Sequence, residues 1–227
     1  MKLSIIIPVY NEEKTIKELI FLVKKVKLPI DKEIIVVDDC SKDNSLKIIK
    51  KIKGIKLITH KKNQGKGAAV KTGIRHSTGD IIIIQDADLE YDPNEYVQVI
   101  KPILDNKAEV VYGSRILKKE NKKSSIFFYF GGRFISFLSS ILVFRKITDE
   151  PTCYKAFKSD IIKNIKIDGN GFEWEPEITI KLLKQKNLRY IEVPISYKPR
   201  AVDEGKKIKF KDGFIAILTL FKYRFLK

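Results

Sequence analysis

Residues 81–93 read IIIIQDADLEYDP. Four isoleucines in succession leave no polar face, so this strand is read as buried on both sides, as strands are in a parallel sheet covered by helices. Asp86 and Asp88 follow at once, separated by Ala87, and Pro93 sits where it can open a helix running to about Leu104.

The same alternation extends in both directions. Residues 3–7 (LSIII), 33–37 (EIIVV), 55–59 (IKLIT) and 109–112 (EVVY) are the other expected strands of the front half. Between them, Glu12 to Val26 has helical spacing with Ile16, Leu19, Ile20 and Val23 on one face. Ser41 or Asp43 can cap a helix to about Ile52, and Lys66 to His76 gives a third. Strand–helix alternation with near-continuous apolar strands predicts an α/β fold, a mostly parallel sheet with helices on both faces. Ligands of such sheets bind at the carboxyl ends of the strands. Tyr10-Asn11-Glu12, Asp38-Asp39, Asn63-Gln64 and Asp86-Ala87-Asp88 all follow strands and are expected on that one edge.

Two carboxylates at i and i+2 of an extended segment point the same way and repel unless a cation lies between them. Hard oxygen ligands suit Mg²⁺ or Mn²⁺, which commonly bridge to substrate phosphates. Of Asp38 and Asp39, one is placed to accept a hydrogen bond from a nucleobase or ribose. Gly65-Lys66-Gly67 is not a phosphate loop: Gly67 replaces the Ser/Thr of that motif, His60 stands where its first glycine belongs, and Val70 breaks the dinucleotide pattern. Its expected role is close helix–sheet packing, with Lys66 offered to an anion.

The back half differs. Lys118 to Ser125 is a charged loop. Phe127 to Phe144 is amphipathic, with Phe134, Phe137, Leu138, Ile141 and Leu142 on one face and Ser136, Ser139 and Ser140 on the other. Residues 188–193 and 195–198 are expected as short strands around Pro194, and 212–225 repeats the amphipathic pattern with Phe214, Ile217, Leu218, Phe221 and Phe225 in register. Both helices are flanked by Lys and Arg, the composition of helices lying in a membrane interface. Packing on the domain's own sheet, a homodimer contact or a membrane-protein partner are the other uses of such faces. Among the 227 residues the net charge is +17, divided as 21 Lys+Arg against 16 Asp+Glu in residues 1–117 and 24 against 12 in residues 118–227. An anionic partner is therefore expected on the back half. The basic residues do not interleave with aromatics as in a nucleic-acid module, and the carboxylate edge would repel a phosphate backbone, so a nucleic-acid partner is set aside.

A hydrophobic content of 44% supports a packed core. Cys40 and Cys153 form no CxxC pair, which fits a reducing compartment better than a disulfide or zinc framework. The chain opens without a secretory pattern. The longest uncharged stretch of the back half, Phe134 to Phe144, falls well short of the roughly 20 residues that span a bilayer. The expectation is a cytoplasmic protein, peripheral on the inner face of a membrane, without a transmembrane span.

SIIIPVYNEE (4–13), VVDDCSKDNS (36–45), NQGKGAA (63–69), GDIIIIQDADLEYDP (79–93) and YGSR (112–115) occur in that order. As a set they resemble the family-2 inverting glycosyltransferases of GT-A fold. TDEPTCYKAFK (148–158) and VPISYKPRAVDEGKKIKFKDG (193–213) extend the resemblance to the polyprenyl-phosphate sugar synthases, so that it spans nearly the whole chain, 1–227, as one domain with a nucleotide-binding half (1–117) and an acceptor-side half (118–227). The resemblance implies hexose transfer from a nucleotide-sugar donor of the GDP-mannose or UDP-glucose type to a polyprenyl or dolichyl phosphate. Pro8, Tyr10 and Glu12 would line the nucleotide pocket, and Val37 and Asp39 would contact base and ribose. Asp86, Ala87 and Asp88 would hold metal and diphosphate; Glu90 stands where the mannose synthases have a metal-assisting glutamine. Arg115 would meet a phosphate, and Arg200 and Lys206, six residues apart, would clamp the diphosphate or the acceptor phosphate. Arg133 and Ser136 approximate an arginine–serine pair used there for the lipid phosphate. An anionic phosphate acceptor needs no strong general base. A saccharide hydroxyl, the alternative acceptor, would need one, for which Glu173, Glu175 and Glu177 are available; Glu175 and Glu177 are read as structural.

Overall fold

The computed structural model describes residues 1–121, 126–200, 207 and 210–226, with the side chains of 126 and 127 excepted. The front half alternates as expected: β1 (Lys2–Val9), α1 (Ile16–Lys25), β2 (Asp31–Asp38), α2 (Ser45–Ile49), β3 (Lys56–Thr59), α3 (Lys66–His76), β4 (Ile81–Ile84), α4 (Tyr96–Leu104) and β5 (Val110–Ser114). The back half adds α5 (Ile126–Val143), β6 (Lys155–Lys158), α6 (Ser159–Lys163), α7 (Trp174–Leu183), β7 (Tyr190–Pro194) and α8 (Phe210–Phe225).

All seven strands join one sheet in the order β3-β2-β1-β4-β6-β5-β7. Every pairing is parallel except those of β6, which runs antiparallel to both β4 and β5. The sheet is therefore mostly parallel, with its single reversed strand supplied by the back half. Two expectations shift. Residues 155–158 were not foreseen as a strand, because KAFK is too short and too charged to carry a strand pattern; its pairing partners lie about 45 and 75 residues upstream. The strand expected over 195–198 does not form, although Ile195 N–H still reaches Ser114 O at 3.1 Å.

The core follows the apolar runs. Ile81 to Ile84 have no exposure, and on α1 the expected stripe of Ile16, Leu19, Ile20 and Val23 is fully covered. Asp43 Oδ1 accepts the Ser45 N–H at the start of α2, while Ser41 Oγ instead accepts the Asn11 N–H and ties together the loops after β1 and β2. At the opposite, amino-terminal edge of the sheet, Glu33 accepts from Ser4 Oγ (2.5 Å), Thr78 N–H (2.6 Å), Thr78 Oγ1 (3.0 Å) and Lys2 Nζ (3.2 Å). Burial alone would raise its pKa, but these bonds, that from Ser4 foremost, outweigh it and hold the carboxyl at about 2. A carboxyl with a depressed folded pKa stabilises the fold above its unfolded value, and that stability is lost as pH falls toward 2. Glu33→Gln should cost about 2–3 kcal/mol at pH 7 by chemical denaturation, with the difference shrinking toward pH 3. Parallel pH curves for the two proteins would remove Glu33 from this role.

Candidate active site

Three residues other than glycine adopt positive φ in the loops that follow parallel strands: Asn11 (φ 51°) after β1, Cys40 (φ 61°) after β2 and Leu89 (φ 62°) after β4. Such strain collects where a backbone is bent to present side chains. Here it bends three loops around one cavity of about 1220 Å³ at the carboxyl edge of the sheet.

Pro8, Tyr10 and Glu12 enter this cavity from the end of β1, and Asp39 from the end of β2. Asp39 is the cavity-facing member of its pair. Its carboxylate accepts Gln64 N–H (2.9 Å) and Gly65 N–H (2.7 Å) and meets His60 Nδ1 at 2.6 Å. Asp38 turns inward, and its Oδ2 accepts Ser41 N–H. Val37 does not line the cavity: its side chain is fully buried in a small cluster with Ile35 and Ala69, because successive strand residues point to opposite faces.

Asp86, Ala87, Asp88 and Glu90 form the next wall. Lys66 Nζ lies 2.9 Å from Asp86 Oδ1 and 3.0 Å from Glu175 Oε1. Burial would lower the Lys66 pKa, but Asp86 and then Glu175 outweigh it, and the ammonium stays charged. Asp86 is held below the ordinary carboxylate range, the Lys66 charge overcoming the effect of burial. Asp88 goes the other way: burial, then the negative charges of Asp86 and Glu90, push it up to about 7, against the pull of Arg200. Burial and the two neighbouring carboxylates thus outweigh the one cation that Asp88 meets. Glu90 is otherwise engaged, accepting Tyr197 O–H (2.9 Å) and Arg200 N–H (2.9 Å), so it anchors the 197–200 segment instead of facing Asp88 as a ligand.

Arg200 Nη2 donates to Asp88 Oδ2 (2.8 Å) and Nη1 to Glu12 Oε2 (3.1 Å). Lys206 lies outside the described residues. Lys207, which the sequence reading passed over, donates to Glu12 Oε1 (2.6 Å) and to the Tyr10 carbonyl. Arg115 is gripped by Asp149 through Nε (2.7 Å) and Nη2 (2.7 Å) and lies 4.9 Å from the Tyr197 ring centre. Asp149 was also missed; only its place in TDEPTCYKAFK marked it.

Gly65 and Gly67 permit close packing, but against the 168–171 loop and Trp174 and not against the sheet as expected, and Lys66 is taken by Asp86 and Glu175. Gly67 and Ala68 N–H donate to Gly171 O (3.1 Å) and Asn170 O (3.0 Å), so the α3 amino terminus is capped by protein carbonyls, which leaves those donors unavailable to a phosphate. Glu177 and Glu173 hold the same 168–171 loop: Glu177 accepts Asp168 and Gly169 N–H at 2.7 Å, and Glu173 accepts Asn170 and Gly171 N–H at 2.9 Å. Glu175 alone of the three lines the cavity, where it pairs with Lys66.

Farther out the cavity runs between α5 and α8, past Arg133, Phe134, Phe214 and Ile217. α5 is inside-out. Ser136 and Ser139 are buried, while Phe134, Phe137 and Ile141 are 51%, 60% and 51% exposed. Ser136 Oγ donates to Gly132 O (2.8 Å) and accepts Glu150 N–H (2.9 Å), so it fastens α5 to the core while bordering the cavity; Arg133 is exposed there. α8 repeats the arrangement, burying Ala216, Thr219, Leu220 and Tyr223 and exposing Phe214, Leu218, Phe221 and Phe225. Among the described residues no helix is long and apolar enough to cross a membrane.

The family model described as glycosyl transferase family 2 matches residues 4–166. A dolichol-phosphate mannosyltransferase of Pyrococcus furiosus is 29% identical over 91% of this chain, which spans 59% of that relative's length. A UDP-N-acetylglucosamine–dolichyl-phosphate N-acetylglucosaminyltransferase of Methanococcus voltae is 32% identical, covering 84% of this chain and 83% of the relative. In three dimensions the chain is similar to glucosyl-3-phosphoglycerate synthase of Mycobacterium tuberculosis, solved with Mn²⁺, UDP and phosphoglyceric acid: TM-score 0.75 and 17% identity over 99% of this chain and 78% of that one. The same enzyme solved with Mg²⁺ and UDP gives a TM-score of 0.72.

Proposed function

The chain belongs to glycosyltransferase family 2 and has the GT-A fold, and from that premise we propose that it moves a hexose from a nucleotide-sugar to a polyprenyl or dolichyl phosphate at a membrane surface, with inversion and with a divalent metal. The observation that supports this reading is the continuity of one cavity, which joins the carboxylates of β4 to the exposed apolar faces of α5 and α8. An amphiphilic phosphate fits that shape: its head reaches the polar end and its chain stays outside. Relatives whose names specify dolichol or dolichyl phosphate support the acceptor class.

Asp86 and Asp88 place two hard oxygen donors on one wall of the cavity, so the residues present fit Mg²⁺ or Mn²⁺. A bound metal would supply charge to neutralise the departing diphosphate. Arg200 and Lys207, held within reach by Glu12, supply further positive charge there, and Arg115 is kept oriented by Asp149. An acceptor phosphate oxygen forms the new bond at the anomeric carbon as the bond to the diphosphate breaks, and the electron pair leaves with the diphosphate. Because the attacking oxygen is already anionic, no side chain has to remove a proton.

Incubation of UDP-glucose, UDP-N-acetylglucosamine and GDP-mannose with Mn²⁺, with and without a polyprenyl phosphate, tests the reading. A lipid-linked sugar in the mass spectrum is the expected product; transfer to a saccharide with none to the lipid phosphate would replace the acceptor. Mn²⁺-dependent nucleotide binding should tighten as pH rises from about 6 to 8, because Asp88 must lose its proton near 7. A flat calorimetric profile over that range would separate Asp88 from the metal. On the membrane side, Arg133, Lys146, Lys211 and Lys222 are exposed beside the apolar faces. The protein should float with phosphatidylserine vesicles at low salt, and Phe137→Glu with Leu218→Glu should reduce the floated fraction at least about tenfold. Equal flotation of wild type and double variant would sink the interface.

A further inference from the structure

His60 stands behind the cavity wall and does not line it, yet its side chain is only 8% exposed and both ring nitrogens are engaged. Nδ1 lies 2.6 Å from Asp39 Oδ1, and Nε2 lies 2.9 Å from Thr72 Oγ1. We propose that His60, backed by Thr72, is a positioning residue for nucleotide binding: it holds the Asp39 carboxylate at the angle at which that group meets the nucleoside of the donor. This deepens the transferase reading and rests on it.

The chemistry of the contacts fixes their direction. A neutral imidazole has one donor and one acceptor nitrogen, and a carboxylate only accepts. Nδ1 therefore carries the hydrogen and donates to Asp39, and Nε2 accepts from the Thr72 hydroxyl. Thr72 is on α3, His60 follows β3 and Asp39 follows β2, so one bonded row ties three elements together and ends on the cavity wall. The backbone N–H of His60 donates to Asp38 O (2.9 Å), which seats the ring beside the end of β2.

Fastening the loop after β3 does not require this row. Gly65 N–H already donates to Asp39 Oδ2 (2.7 Å), and Asn63 Nδ2 donates to the Asp39 carbonyl (3.2 Å). Gln64 N–H stands between the two carboxylate oxygens, at 2.9 and 3.1 Å, so the bond at 2.6 Å from His60 is the one that pins Oδ1. A carboxylate has about four acceptor sites. With the three donors from Gln64, Gly65 and His60 in place, Asp39 keeps capacity for a single N–H or O–H from the cavity. A group with so little acceptor capacity left depends on its angle. Its side chain is only 3% exposed, so a lost donor is not readily replaced by water.

The full chain is compared with His60→Phe, His60→Gln, Thr72→Val and the double variant His60→Phe with Thr72→Val. Calorimetry uses UDP and GDP, and kinetics use UDP-glucose, UDP-N-acetylglucosamine and GDP-mannose, all with Mn²⁺. His60→Phe should weaken binding of the nucleotide that wild type takes by about tenfold and raise the matching donor KM equally, with kcat at saturating donor within about twofold. His60→Gln, which can donate to Asp39 and accept from Thr72, should recover most of that loss. Thr72→Val should weaken binding by about threefold, and the double variant by no more than His60→Phe alone, because Thr72 acts through the imidazole. Undiminished nucleotide binding by His60→Phe overturns the proposal. So does a fall in kcat as large as the rise in KM, which marks a structural prop, or a double variant whose loss is the product of the single losses. If His60→Phe does not fold, Thr72→Val decides, and unchanged binding by it overturns the proposal. A wild type that binds UDP or GDP but uses no donor of the panel removes the transfer reading while the binding series still decides on His60; one that binds neither removes both.

Discussion

Asp88→Asn should lower sugar transfer by about 10²–10⁴-fold and at the same time make the protein more stable at pH 8. Both effects come from one cause. The carboxylate is buried beside Asp86 and Glu90, which push its pKa up to about 7, so its charge is unfavourable to the fold and useful only to a ligand. Removal of a group that holds a catalytic cation costs the charge stabilisation of the transition state. The sign of the stability effect follows from linkage. A carboxyl raised in the folded state charges at a cost above about pH 7, and that cost vanishes as pH falls toward its ordinary value near 4. The variant should therefore gain about 1 kcal/mol or more at pH 8 and lose that advantage as pH falls to about 4. Wild-type transfer rates in Asp88→Asn, or a variant less stable than wild type at pH 8, would contradict this account of the site.

Gly67→Ala is the second large effect, and it acts on the scaffold. A Cβ at this position would stand 2.7 Å from Gly169 O and 2.9 Å from both Gly171 O and Trp174 Cβ. Two of those neighbours are backbone, and Trp174 is fully buried, so the α3 amino terminus and the 168–171 loop must part. The hydrogen bonds from Gly67 and Ala68 to that loop lengthen with them. A cost of about 2–4 kcal/mol is expected, larger for Gly67→Val. Because Lys66 is on α3 and Glu175 on α7, the same displacement opens their contact, and the donor KM should rise along with the fall in Tm. A Gly67→Ala protein with unchanged Tm would show that the two elements are not locked together.

The sheet and its ligand edge were legible because they rest on local signals. Four consecutive isoleucines, the Asp-Ala-Asp that ends them and the α1 stripe each declare themselves within a few residues. What escaped reading depends on long-range placement. β6 is a strand because β4 and β5 flank it, not because KAFK favours one. Asp149 matters through Arg115, 34 residues away, and Glu175 through Lys66, 109 residues away. Glu173, Glu175 and Glu177 are equally acidic in sequence; helical rotation and the 168–171 loop decide that only Glu175 faces the cavity. In α5 the periodicity revealed two faces without saying which was outside. Small serines that bond their own preceding turn satisfy a buried surface as well as apolar residues do, through the bonds of Ser136 to Gly132 O and of Ser140 to Ser136 O.

That reversed helix has a practical corollary. α5 is kept seated by Leu142 and Val143, by Ile135 and Leu138 beside them and by the bonds of Ser136, while Phe134 and Phe137 stay exposed. The side of α5 that holds the fold and the side left exposed are thus separate. Polar replacements at positions 137 and 141, which are exposed and do not line the cavity, are expected to yield a form that disperses freely with its chamber untouched.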